Sequence, residues 1–465
     1  MNDVVGVGKK ARFRGGRIRI FSNLQELAAG PRRFLFFIVF NVVSWQCIVG
    51  PALVLLARKI DMPPSYVGFL ISFMPLSMVL VLVTGQLVLR LGPKRVMFTA
   101  WMLRNLISCV VFLMPWAMYH YGLHSGWWVL MAATFGFCLM RALGAGGWFP
   151  WLHEVVPENQ RAAYFSAEGA VGQFLNVAVM IGQGLILRNN PSLGRFLIIY
   201  AIGIASGMFS LTWMARVPGG LAVNAELTIN QGFESYRRAL KDRSYMWFVI
   251  NAALCFSATS WFGSAGVMFL KDAVGLSPEE VMYIMALGSV GIMFTIRYWG
   301  RFTEHSGSGS TVFLTLTGHT LAAMGALALI PGLAATRYAL YPVFILAATF
   351  NGAMWMATHR AMFNCVAAQD RIGYTNIFTV GTSMALGITP ILAGLAIDHW
   401  GMWGYRFCFI MAGVLGFGCG VASRYVCRDS KPLDMSLARL LNPTLPARTV
   451  GRIFWVSMGL HESNR

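Results

Sequence analysis

Long apolar stretches alternate with short polar segments along this chain of 465 residues. About 20 apolar residues in a helix cross the roughly 30 Å of hydrocarbon in a bilayer, and apolar windows of that length recur along most of the chain. The pattern predicts an all-α membrane protein with twelve transmembrane helices. We place them at 34–57, 66–89, 96–117, 126–149, 164–187, 196–215, 246–270, 279–299, 310–332, 337–358, 376–397 and 404–424.

The segment 216–245 is the longest polar stretch between two predicted spans, and it divides the chain into two halves of six spans. Its stretch SYRRALKDR is typical of a short amphipathic helix on a membrane surface. We expect a tail, an N-terminal half, a central loop, a C-terminal half and a second tail, at 1–33, 34–215, 216–245, 246–424 and 425–465.

The two halves repeat each other in sequence. VPENQRAAY (156–164) realigns with VAAQDRIGY (366–374) at a shift of 210 residues, and the same shift brings Asn41 onto Asn251. Carriers built from two parallel repeats bind their substrate between the halves, near the middle of the membrane. The repeat therefore predicts two pseudo-symmetric halves around one site.

The balance of charge agrees with a membrane location. The chain is 57% hydrophobic and 12% charged, whereas about a quarter of the residues in soluble domains are charged. Its net charge of +19 would suit a nucleic-acid partner, but the cations lie in short segments between apolar spans, so we expect no nucleic acid. If both termini are cytoplasmic, 28 of the 37 Lys and Arg residues lie on the cytoplasmic side, in the tails, the even-numbered connections and the span ends that adjoin them. This positive-inside bias predicts cytoplasmic termini, and we expect a bacterial inner membrane.

The ends of the chain are basic. Residues 9–19 carry six cations, and the last 40 residues mix Arg with apolar residues. Cations of this kind bind the anionic inner leaflet, so we expect both tails to contact lipid, with partner docking as the alternative. Residues 1–32 lack the pattern of a removable signal peptide, which leaves the first span as the insertion signal. The eight cysteines form no C-x-x-C pair, so neither a disulfide framework nor a zinc site is expected. We expect a monomer.

The stretch GQLVLRLGPKR (85–95), between the second and third spans, resembles motif A of the major facilitator superfamily, G-x-L-x-D-[RK]-x-G-[RP]-[RK]. The resemblance extends over 34–424 and implies a fold of twelve transmembrane helices and transport by alternating access. In the family this loop is a cytoplasmic gate. The matching residues here are Gly85, Leu87, Arg90, Gly92, Pro93 and Lys94, and Arg95 extends the cationic run. Leu89 stands where the family has an acid, which implies a weaker gate.

Two further copies of this spacing occur. GRFTEHSG (300–307) realigns with 85–92 at a shift of 215 and keeps an acid at the departing position. A third copy closes the eleventh span, on the outer side. The gate residues of these two copies are Gly300, Glu304, Gly307, Gly394, Asp398 and Gly401. The resemblance also implies paired cytoplasmic gate contacts at Arg161 and Arg371, which otherwise are ordinary positive-inside residues.

Arg141 is the principal candidate for binding a substrate. An ionisable residue inside a span costs free energy, so its presence there indicates a function. It opens RALGAGG, which resembles the family's motif B, R-x-x-Q-G-x-G, in Arg141 and Gly147. A permanent charge here could bind an anionic group or tune a neighbouring proton site. The alternative is a structural side chain that reaches back to the cytoplasmic membrane surface or bonds backbone carbonyls. Arg104 and His319 lie in spans that support the bundle from outside, and we expect both to be structural.

Neutral polar and aromatic residues in the spans that line the family's cavity are further candidates: Asn41, Gln46, Asn176, Gln183, Asn251, Asn351 and Trp355. We favour the repeated pair Asn41 and Asn251 for hydrogen bonds to a ligand, although polar contacts between helices are common in membranes. For proton coupling, Glu168 is the carboxylate nearest the pathway, and His319 could titrate near neutral pH.

The sequence thus predicts a secondary transporter that moves a small anionic or polar solute. A proton-coupled drug antiporter is less favoured, because the fifth span lacks the family's antiporter motif with its proline. A transport-inactive sensor or assembly factor on the same scaffold is the alternative from another class, and the missing acid at Leu89 favours it slightly. No ATP-binding signature and no clustered catalytic set is present, so we expect no enzyme, no cofactor and no metal.

Overall fold

The computed structural model describes residues 27–157, 160–222, 229–366 and 371–429. Within these ranges, twelve helices are long and apolar enough to cross a membrane, and no strand occurs, so the predicted all-α class and the count are confirmed. The spans are α1 (Ala29–Lys59), α2 (Pro64–Gly85), α3 (Pro93–Tyr121), α4 (Leu123–Ala145), α5 (Ala167–Ile186), α6 (Leu193–Ala215), α7 (Arg243–Ala273), α8 (Pro278–Ile296), α9 (Ser308–Leu327), α10 (Ala335–Cys365), α11 (Gly373–Trp400) and α12 (Met402–Val426).

Most spans lie within a few residues of their predicted places, and α10 differs most, since it continues to Cys365. Proline explains some interior breaks: α1 changes direction at Gly50, before Pro51, because proline lacks the amide hydrogen and disfavours a helical residue before it. The central loop contains the helix Ile229–Lys241, as its amphipathic pattern predicts.

The predicted contacts of the tails with lipid fall largely on 1–26 and 430–465, which lie outside the described residues. The side chains of Leu89, Arg161 and Arg371 are also outside the described part, although their backbones are in helices.

The two halves pack alike. In the first half, α1 packs on α5 and α6, α3 on α4 and α6, and α2 on α4. In the second half, the same pairs recur with six added to each number: α7 with α11 and α12, α9 with α10 and α12, and α8 with α10. Between the halves, α2 packs on α11 and α5 on α8. The repeat therefore predicts a substrate pathway along this interface.

Backbone geometry confirms the internal repeat. Gly92, before α3, has φ 84°, and its counterpart Gly307, before α9, has φ 82°. Side chains other than glycine disfavour this region, so the paired glycines are needed for the same turn. Val156 and Val366 end their helices in the same extended conformation, with ψ 109° and 121°.

Candidate substrate pathway between the two halves

Opposite charges join the two halves at the end of the bundle where α1 finishes and α7 finishes. We call this the distal end, and the end where α1 begins and α12 finishes the terminal end. Arg58 Nε lies 2.8 Å from Asp272 Oδ2, with the two side chains 21% and 22% exposed. The Tyr405 hydroxyl donates to the same carboxylate at 3.3 Å. A second, longer pair joins Arg188 of the first half to Glu279 of the second at 3.9 Å.

The third copy of the glycine motif, at 394–401, also joins the two halves at the distal end. Asp398 Oδ2 accepts a hydrogen bond of 2.8 Å from the backbone N–H of Ser65, at the amino end of α2. A carboxylate is stabilised there by the unpaired amides and the helix dipole. Gly394 lets the helices approach, because a Cβ at this position would overlap the carbonyl oxygen of Pro64. Gly401 turns the chain into α12 with φ 54°.

At the terminal end, the polar contacts between described residues remain within each half. Lys94 Nζ donates to the carbonyls of Ala215 at 2.9 Å and Val217 at 2.6 Å, at the end of α6. In the second half, Asp429 accepts from the backbone and hydroxyl of Ser308 at 3.2 and 2.7 Å, where α9 begins. Among described residues, the polar contacts that cross between the halves lie at the distal end or at the level of Met180.

The remaining gate residues of the two copies at 85–95 and 300–307 differ in their surroundings. Arg90, Arg95 and Glu304 are exposed. A Cβ on Gly85 would meet nothing within 4 Å, and one on Gly300 only Met356 at 3.9 Å. Close packing thus does not explain these two glycines in the conformation described here. Lys94 thus binds carbonyl groups at the end of α6, and Glu304 lies at the surface.

Arg141 lies half-buried near the terminal end of α4, without a carboxylate at ion-pair distance among the described residues. Its Nη1 approaches the Met78 sulfur on α2 at 4.0 Å, which is a weak contact. Arg104 is close enough for the two cations to repel each other. Within the described part of the chain, Arg141 is therefore a cation without a neutralising group, on a helix that packs against α2 of the interface.

Asn41 lies inside the first half. Its Oδ1 accepts hydrogen bonds from Arg104 Nη2 at 2.8 Å and Trp101 Nε1 at 2.9 Å. The guanidinium of Arg104 is fully buried, and its carbon lies 4.9 and 4.7 Å from the ring centres of Trp101 and Phe137. Asn41 thus stabilises a buried cation, and its contact with a ligand stays a prediction.

Asn251, the counterpart of Asn41, lies inside the second half. Its Nδ2 donates to the Ser423 hydroxyl of α12 at 2.8 Å, and the residue is 8% exposed. The structure therefore does not bring the repeated pair together across the interface, and each amide joins helices of its own half.

Four other candidate amides keep buried atoms without a hydrogen-bond partner among the described residues. They are Oδ1 of Asn176 and of Asn351, Nε2 of Gln46 and Oε1 of Gln183. Gln183 Nε2 donates to the backbone carbonyl of Gln46 at 3.2 Å, so the Gln183 side chain of α5 packs against α1. Buried polar atoms without partners are uncommon. These amides are available for hydrogen bonds to a solute or to water.

The two candidates for proton coupling lie in different halves of the fold. Glu168, at the start of α5, is half-buried, and its Oε2 has no partner among the described residues. His319 is buried in the second half, where its Nδ1 donates to the Ala347 carbonyl at 3.2 Å and its ring meets Phe262 edge-on. Of the two, Glu168 is the one on a helix of the interface.

Trp355 is 40% exposed on α10, and its ring stacks on His359 with centroids 5.0 Å apart. His359 was not among the sequence candidates, although its position one helical turn after Trp355 was an available signal. The pair Arg58 and Asp272 was also missed. Opposite charges at the corresponding ends of the first and seventh helices were the signal that could have found it.

The comparisons with known proteins concern the family and the fold. A family model described as Major Facilitator Superfamily matches residues 34–325 and 250–439. Among curated proteins no relative matches.

Solved structures with the same fold are distant in sequence. The nucleoside transporter NupG is 14% identical with a TM-score of 0.62, over 88% of this chain and 99% of that one. A bacterial homologue of the iron transporter ferroportin, in its inward-facing state, is 14% identical with a TM-score of 0.66, over 86% and 98%. A D-xylose-proton symporter is 12% identical with a TM-score of 0.60, over 86% and 97%. At these identities the likeness concerns the fold.

Proposed function

Because the chain belongs to the major facilitator superfamily, we propose that this multi-pass membrane transporter moves a small anionic or polar solute by alternating access between its two six-helix halves. The observation that carries the proposal is Arg141, a half-buried cation without a carboxylate partner among the described residues. A buried cation needs compensation, and an anionic solute that enters between the halves would supply it. Asn176 and Asn351, with their unpaired amide oxygens, would add hydrogen bonds or hold bridging water.

The distribution of contacts supports the transport cycle. The halves meet through ion pairs at the distal end, whereas at the terminal end Lys94 and Asp429 make hydrogen bonds within their own halves. A carrier that rocks about a central site must break the first set of contacts when the distal end opens. The conformation described here would then be open toward the terminal end.

The terminal end would face the cytoplasm, because most Lys and Arg residues lie on that side. The basic tails would bind anionic lipid there. We expect a cysteine introduced into residues 1–26 to react with a membrane-impermeant maleimide only after the cells are permeabilised. Labelling in intact cells would show that the amino terminus lies outside, which is the opposite orientation.

Uptake into proteoliposomes tests the role of Arg141. We expect a panel of small anionic and polar solutes to contain at least one that is transported, and Arg141→Ala to raise its KM about tenfold or more, since a hydrogen bond to a charged group contributes roughly 1.5–3 kcal/mol. Arg337→Ala is the control, because it removes an arginine from an exposed distal ion pair of the kind that contributes little. Unchanged uptake in Arg141→Ala would refute the proposed contact, and no uptake of any solute would favour a transport-inactive role.

A further inference from the structure

Four aromatic rings form a rigid group on the second half. The rings of Trp355 and His359, one turn apart on α10, are nearly parallel, with an interplanar angle of 16°. Phe256 of α7 meets the Trp355 ring edge-on at 4.6 Å, and Phe378 of α11 meets the His359 ring edge-on at 5.4 Å. Both phenylalanines are buried. The indole is therefore held by Phe256 of α7 and by His359, and the His359 ring in turn packs on Phe378 of α11.

The indole is only partly covered by these contacts. Trp355 is 40% exposed, whereas Phe256 and Phe378 are 1% and 2% exposed. We call this group, Phe256, Trp355, His359 and Phe378, the aromatic platform. It presents part of a flat ring system, already fixed in position, along the side of α10 that adjoins α7 and α11.

His359 adds a polar edge to the platform. Its Nδ1 lies 2.8 Å from the Trp355 carbonyl oxygen, and because a carbonyl can only accept, Nδ1 carries the hydrogen. In the neutral ring, Nε2 then keeps a lone pair that can accept a hydrogen bond. The platform thus offers both a stacking surface and one acceptor.

The internal repeat relates the platform to Arg141. A shift of 210 residues carries Arg141 of α4 onto Asn351 of α10, and Trp355 lies one helical turn, or about 6 Å, further toward the terminal end. The cation of the first half and the platform of the second half therefore occupy adjacent levels on corresponding helices.

We propose that the solute carried by this transporter is an anion with a flat aromatic ring, whose carboxylate binds Arg141 and whose ring stacks on the exposed indole of Trp355. This inference rests on the proposed function, and it narrows the substrate class. Aromatic rings in contact gain roughly 0.5–1.5 kcal/mol beyond the burial of their area, which corresponds to about 2- to 12-fold in affinity. A saturated ring of the same size and charge buries a similar area but cannot stack.

Equilibrium dialysis of the purified full-length protein in detergent tests the proposal with matched acids. The probes are benzoate against cyclohexanecarboxylate, and 2-naphthoate against its decahydro analogue. We expect the aromatic member of at least one pair to bind about 2- to 12-fold more tightly. Trp355→Leu should bring that ratio close to one, and Trp355→Phe, which keeps a ring, should retain a preference. Size-exclusion profiles that match the wild type show that the variants are folded.

Other results would overturn the inference in distinguishable ways. If both members of each pair bind equally, and Arg141→Gln weakens that binding, the aromatic platform is not part of the site but the anion contact is. An aromatic preference that persists in Trp355→Leu would assign the ring to another surface. If neither acid of either pair binds, the substrate class is wrong, and uptake of a different solute in proteoliposomes would still support the transport function.

Discussion

Single side chains of the same type serve different purposes in the two halves. Asn41 and Asn251 correspond in the repeat, but Asn41 accepts from the buried Arg104 and from Trp101, whereas Asn251 donates to the hydroxyl of Ser423. The first bond compensates a buried charge, and the second joins two neutral groups. A buried charge that loses its partner costs several kcal/mol, and a buried neutral group costs less.

Thermal unfolding in detergent should therefore separate the two asparagines. We expect Asn41→Leu to destabilise the protein by about 2–5 kcal/mol, because it leaves donors of Arg104 and Trp101 without an acceptor. Asn251→Leu should cost about 1–2 kcal/mol, since Ser423 keeps its bond to the Cys419 carbonyl at 2.8 Å. The observable is the fall in Tm of each variant, and equal falls would contradict the assignment of Asn41 to the buried cation.

Helices approach closely where α2 crosses α11. Gly68 and Gly394 lie at this contact, and a Cβ on either would overlap backbone atoms of the facing helix, at Pro390 and Pro64 respectively. Because backbone cannot move aside as a flexible side chain can, a methyl group here must push the helices apart. The glycines therefore determine how closely the distal end shuts.

Gly394→Ala should open the distal end. We expect spin labels at residues 190 and 337, one in each half, to move further apart in this variant, measured in a background from which the native cysteines have been replaced. Gly418→Ala is the matched control, because a Cβ at that position in α12 meets nothing within 4 Å. An unchanged distance in Gly394→Ala would mean that the α2–α11 contact adjusts without opening.

The balance between conformations depends on how the two halves are joined. Among the described residues, the shortest ion pair between them joins Arg58 to Asp272 at the distal end, with each side chain about one-fifth exposed. Such partly exposed pairs contribute on the order of 1 kcal/mol, which shifts a two-state population several-fold. This pair would therefore favour the conformation that is closed at the distal end.

Charge reversal tests this contribution. Arg58→Asp or Asp272→Arg places like charges together, and each should increase the fraction of molecules open at the distal end by several-fold. Combining the two restores opposite charges and should return the distribution toward that of the wild type. Single-molecule fluorescence transfer across the distal end would report the populations. A double variant no closer to the wild type than either single one would show that the pair does not hold the halves together.

Much of this architecture follows from local patterns in the chain. The length of an apolar window determines whether a helix can cross the membrane, and the distribution of Lys and Arg predicts its orientation. The repeat of 85–92 at 300–307 anticipated the paired turns at Gly92 and Gly307. These features depend on neighbours in sequence or on a fixed spacing, so no tertiary contact is needed to find them.

The grouping of polar side chains depends on tertiary contacts. The direction in which Asn41 and Asn251 face depends on the rotation of α1 and α7 within their own halves, and residues in other helices complete each contact. Arg58 meets Asp272 across a separation of more than 200 residues, and Trp355 and His359 become a platform through Phe256 and Phe378. The twelve spans, their repeat and the candidate Arg141 could thus be found in the linear chain, because apolar length, spacing and charge are local quantities. The ion pair of Arg58 with Asp272 and the aromatic platform exist only where separate helices pack together.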